Sequence, residues 1–136
     1  MQTVQPTRLL RHVLLADAIV SGLMGLLMVF DANVLSNWFA IPASWLRYAG
    51  LVLLPYAAIV GLLSTRNPMP RALVLAVIVC NALWAIDCML LLVTGWLSPT
   101  WLGSAFVLLH AWGVAVFACL QWVGLRRAQG RRSAMA

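Results

Sequence analysis

The chain has 136 residues, 64% of them hydrophobic and 9% charged, against roughly half and a quarter in ordinary soluble domains. So little polar material cannot coat a water-soluble core, which argues against a soluble globular domain. The net charge of +6 does not point to nucleic acid either, because the basic residues stand at the ends of apolar segments, where membrane topology signals belong.

Four apolar segments, 9–30, 45–63, 72–93 and 101–125, follow in order. Each is close to the roughly 20 residues that a helix needs to cross about 30 Å of hydrocarbon. They predict an all-α fold, an integral membrane four-helix bundle over residues 1–127. At the start of the first segment stand Arg8 and Arg11, with Thr7 as N-cap. The segment is too long for a typical secretory signal, and no clear small-x-small cleavage site precedes the next polar stretch, so it is expected to be retained. Within it, Ala18, Ser21, Gly22 and Gly25 form a small-residue stripe suited to close helix packing. His12, beside Arg11, is a boundary residue. Residues 31–44 read as an outer loop, with Trp38 and Trp45 at its interface and Pro42 just before the second segment. Pro55, inside that segment, predicts a kink.

The connection to the third segment carries Arg66 and Arg71, with Pro70 just before the helix. A second outer loop, 94–100, carries Trp96 and Pro99, with Ser98 as expected N-cap and Trp101 opening the fourth segment. Ala111, Ala115 and Ala118 form a second small-residue stripe, and Trp122 marks the other interface. The Arg-rich tail, 128–136, reads as solvated and disordered.

Eight of the nine basic residues, all Arg, fall on one side of this layout, and only Arg47 on the other. The positive-inside bias predicts a multi-pass protein with both termini cytoplasmic, and the use of Arg and Asp without Lys or Glu suggests a GC-rich bacterial source, hence an inner membrane. The same imbalance argues against a dual-topology antiparallel dimer such as a small multidrug exporter or fluoride channel.

The two halves also look like copies of one hairpin. Asp17-Ala18 aligns with Asn81-Ala82, and Trp45-Leu46-x-x-Ala49 with Trp101-Leu102-x-x-Ala105. Two tandem hairpins with the same orientation would relate by a pseudo-twofold along the membrane normal. Tyr56 then matches Trp112, and both rings are expected to face a shared cavity.

Ionisable residues inside spans are costly and usually face protein or water. Asp87 and His110 fall at similar depth on adjacent antiparallel spans and are candidates to pair. Asp17 and Asn81 share a deeper level, and Asn81, Trp84 and Asp87 recur at i, i+3, i+6 on one broad face. The candidate ligand-binding set is therefore Asp17, Tyr56, Asn81, Trp84, Asp87, His110 and Trp112. The alternative for Asp17 and Asn81 is interhelical hydrogen bonding that holds the bundle together. No metal site is expected: Cys80, Cys88 and Cys119 lie inside spans without CxxC spacing, and read as packing residues. No cofactor is expected, since His110 has no partner His for axial haem ligation. Phosphate-binding, HExxH and GxSxG motifs are absent.

Three readings stand side by side. One is a non-enzymatic bundle that binds a small apolar or amphipathic ligand, or moves a proton or solute. Another is an accessory subunit or assembly factor, whose partners would be membrane lipids and either a second copy or a larger membrane complex. The third is an intramembrane enzyme with Asp87 and His110 as acid and base. In span count and length, over residues 8–127, the pattern resembles small four-span bacterial inner-membrane proteins, DoxX-like proteins among them. That resemblance implies a helical membrane fold and transfers no functional residue.

Overall fold

A computed structural model describes residues 2–134, with side-chain surroundings for residues 2–130. The protein is all-α: α1 (Arg8–Phe30), α2 (Ala32–Phe39), α3 (Ala43–Thr65), α4 (Arg71–Val93) and α5 (Trp101–Ala134). Helices α1, α3, α4 and α5 are long and apolar enough to cross a membrane, and Leu23, Ile59, Leu62, Val79 and Leu109 are among the large apolar side chains on their outer surface. The Trp side chains expected at the interfaces, Trp38, Trp45, Trp96, Trp101 and Trp122, are all exposed, as rings at a lipid headgroup boundary would be.

Helix starts follow local chemistry. Thr7 Oγ1 accepts the Leu10 N–H at 3.2 Å, the N-cap geometry expected from the sequence. At α5 the cap is Thr100, not Ser98: its Oγ1 accepts the Gly103 N–H at 3.1 Å. The Thr100 hydroxyl also donates to Trp38 O at 2.7 Å, while its N–H donates to Phe39 O at 2.9 Å. One threonine thus caps α5 and fastens the end of α2 to it. Gly103 lets the two backbones meet, because a Cβ there would collide with the Phe39 backbone. Thr100→Val is expected to cost about 1 kcal/mol, the usual worth of a lost cap, read as a lowered unfolding midpoint in detergent. An unchanged midpoint would show that α2 is held by its apolar face alone.

Three features correct or add to the sequence expectations. Residues 31–44 are not all loop: α2 buries Ala32, Leu35 and Phe39, an i, i+3, i+7 pattern of an amphipathic helix too short to span. It ends where Ala40 turns left-handed at φ 53°. The tail is helical through Ala134, leaving only residues 135–136 outside the described residues. It stays ordered because Leu125 and Ala128 pack with Val4 and Met69 in one buried cluster. That cluster sits under the third feature, a short antiparallel clasp pairing Thr3 with Pro70 and Val4 with Met69. Arg71 reinforces it, donating its N–H to Gln2 O at 3.1 Å and Nη1 to Gln2 Oε1 at 2.8 Å. Helix α3 continues through Pro55.

Packing is uneven around the bundle. Helix α1 lies closely on α3, α4 lies on α5, and α1 also touches α5, whereas α3 and α4 scarcely meet. The small-residue stripe on α1 is what brings it onto α3: Ala18 faces Gly61, Gly22 faces Ala57, and Gly25 faces Gly50. Each predicted hairpin therefore pairs internally, but the two seams between hairpins differ. A strict twofold would make the α3–α4 seam the equal of the α1–α5 seam, and it is far more open.

Candidate functional site

Two polar levels lie inside the bundle, and they differ in how well their hydrogen bonds are met. The first is centred on Asp17, which is fully buried. Its Oδ2 accepts from Gln121 Nε2 at 2.7 Å, Asn81 Nδ2 at 2.8 Å and the Tyr56 hydroxyl at 3.0 Å, and its Oδ1 accepts from Ser21 Oγ at 3.1 Å. Asn81 Nδ2 also lies 3.2 Å from Gln121 Oε1, and the Tyr56 hydroxyl lies 2.9 Å from Asn81 Oδ1, with one proton to share between two acceptors. One carboxylate thus gathers donors from α1, α3, α4 and α5. Both of its oxygens are engaged by protein, which leaves little capacity for a ligand and makes this level a pin between helices.

Gln121 is missing from the sequence-derived set. It lies eleven residues after His110, about 20° round the same helix face, and it is the only side-chain amide in its span. Those two signals together mark it as inward-facing.

The second level lies nearer the α2 end. A cavity of about 250 Å³ is walled by Met28 of α1, Leu46 and Ala49 of α3, Trp84, Asp87, Cys88 and Leu91 of α4, and Phe106, Val107 and His110 of α5, together with Ile41 and Trp45. Phe39, Phe106 and His110 stack in a column, with ring centres 4.6 Å and 6.3 Å apart, and Trp84 meets His110 edge-on at 6.2 Å. A second hollow of about 200 Å³ joins Trp84 and Asp87 to Tyr56 and Asn81 along the open α3–α4 seam. A third, of about 220 Å³, lies between α1 and α5 and is also bordered by His110.

Hydrogen bonding here is incomplete. His110 Nε2 and Trp84 Nε1 are buried and have no partner, an arrangement that native structures rarely leave unfilled. Asp87 is exposed at the seam. Among the described residues, neither a hydrogen bond nor an ion pair joins Asp87 to His110, so the acid–base pair suggested by their depth is not assembled. Trp112 is 68% exposed and stands on the outside of α5, not opposite Tyr56. Two residues beyond His110 is about 200° round a helix, which points the two side chains in opposite directions. No group of His, Cys, Asp or Glu among the described residues could hold a metal ion.

Comparison with protein-family models, with curated proteins and with solved structures gives no match.

Proposed function

We propose that this chain is an integral inner-membrane protein that binds a small amphipathic molecule in the cavity between α3, α4 and α5, without chemistry of its own. The observation that carries this reading is the contrast between the two polar levels. Around Asp17 the donors have their acceptor, whereas the cavity wall holds two buried ring nitrogens without partners. An apolar cleft with a few convergent polar groups is the usual form of a small-molecule site, and the open α3–α4 seam gives lateral access from lipid. The concentration of Arg at the end that carries both termini supports a cytoplasmic position for that end.

Ala49 offers a direct test, because it is half-buried on the cavity wall. Ala49→Trp would place an indole in the space that the ligand needs. Protein extracted in mild detergent should carry a small amphipathic compound, detectable by mass spectrometry after solvent extraction. The Ala49→Trp protein should carry about tenfold less, with its fold unchanged by circular dichroism, since a filled cavity cannot bury a ligand. Equal amounts on both proteins would rule the cavity out.

A further inference from the structure

We infer that the ligand of this cavity is an organic cation: an ammonium group carried on a compact apolar or aromatic body. The inference rests on the cavity being a binding site and adds the charge of its occupant. Asp87 borders both the main cavity and the hollow along the seam, about 9 Å from the end of α4 at 1.5 Å per residue. An acidic side chain at such depth is expensive unless a cation or a set of donors meets it. Asp17 shows what the second solution looks like in this protein, with four donors on one carboxylate. Among the described residues, none donates to Asp87.

Nor does any described residue supply a counter-charge. Arg47 is the only arginine at the α2 end by sequence position, and its guanidinium donates to Asn33 Oδ1 at 3.0 Å, an engagement with α2. The remaining arginines belong to the opposite end of the helices. His110 forms no ion pair with Asp87 among the described residues.

The rest of the wall suits an organic cation better than a metal ion. Trp45 and Trp84 bring indole rings to the space, while Phe106 spends its faces in the stack with Phe39 and His110; aromatic faces attract ammonium groups most strongly where water is excluded. Met28, Leu46, Leu91 and Val107 would receive the apolar body. Trp84 Nε1 remains as a donor for an acceptor atom on that body. The volume of about 250 Å³ lies just below the range typical of drug-sized ligands, so the body is small, of the order of one ring.

The test compares benzyltrimethylammonium with neopentylbenzene, its uncharged isostere, on the full chain in dodecyl maltoside. Free concentrations are set by dialysis, and apparent affinities come from the rise in thermal midpoint that a native-state ligand produces. The ammonium should bind about tenfold more tightly than the hydrocarbon, in keeping with one desolvated ion pair flanked by aromatic rings. In Asp87→Asn that preference should disappear, with the affinity for neopentylbenzene unchanged. Asp87 makes no stabilising contact among the described residues, so this variant is expected to have a ligand-free midpoint at or above that of the wild type. Equal affinities in the wild type, or a preference that survives Asp87→Asn, would overturn the cationic assignment and leave the cavity standing as a neutral site. If neither compound raises the midpoint, the binding reading falls and the cation with it.

Discussion

Asp17→Leu is expected to lower the stability of the bundle by about 3 kcal/mol, well above the roughly 0.6 kcal/mol of an average interhelical contact in a membrane. Leucine keeps the same branched outline with bulkier methyl groups, and it accepts nothing. Gln121 Nε2, Asn81 Nδ2, the Tyr56 hydroxyl and Ser21 Oγ all point at the carboxylate in the native arrangement. Some would find substitutes: the Asn81–Gln121 and Tyr56–Asn81 bonds survive, and Ser21 can turn to its own helix. The remainder would be left dry, and each unsatisfied buried donor costs about 1–3 kcal/mol. Asp17→Asn should cost less, because its amide keeps one acceptor oxygen. Reversible unfolding in mixed detergent micelles measures both variants. A loss below about 1 kcal/mol for Asp17→Leu would mean that helix packing, not the carboxylate, holds the four spans together.

Gly50→Leu should be at least as damaging, by about 3 kcal/mol or more, for a steric reason. A Cβ at Gly50 would lie 2.7 Å from Gly25 O and 2.8 Å from a Val29 methyl group. The first of these is backbone, which cannot rotate away, so α1 and α3 must separate along the most extensive helix contact of the bundle. In a membrane, close backbone approach is a main source of helix association. Gly22→Ala is the matched control on the same stripe. Its Cβ would meet Ala57 Cβ at 3.6 Å, an ordinary contact, and its stability should stay within about 0.5 kcal/mol of wild type. A loss for Gly50→Leu no larger than that for Gly22→Ala would show that the approach of Gly25 to Gly50 does not set the cost, since both substitutions improve helix propensity.

The spanning helices were legible because hydropathy in a bilayer is nearly a one-dimensional signal. Predicted ends agree with the observed ones to within two residues, except at α5, which runs on to Ala134. Its continuation depends on Ala128 meeting Val4 and Met69, contacts between segments far apart in the chain that no local pattern announces. Helix α2 was legible in principle from the spacing of Ala32, Leu35 and Phe39, but its length fell below the window that finds spans.

At the site, matched depth found the right partners in one case and not in the other. Asp17 and Asn81 do bond. Asp87 and His110 share a level and line one cavity without joining. The difference is rotational: from Asn81 to Trp84 to Asp87 the helix turns by about 60° at each step, so the row winds from the core, through the cavity wall, to the seam. Their burial follows that order, from buried through half-buried to exposed. Depth along a helix can be counted from sequence, but the direction in which each side chain faces depends on which neighbours pack closely. Here the wide α3–α4 gap decided it.

The pairing of Thr3–Val4 with Met69–Pro70 has a bearing on biogenesis. When the first two spans insert, the amino-terminal residues have no partner, since residues 69 and 70 have yet to be synthesised. They must wait on whichever face receives that later stretch. A chain whose start lay across the bilayer from residues 69 and 70 would lose the stitch and leave Val4 and Met69 uncovered.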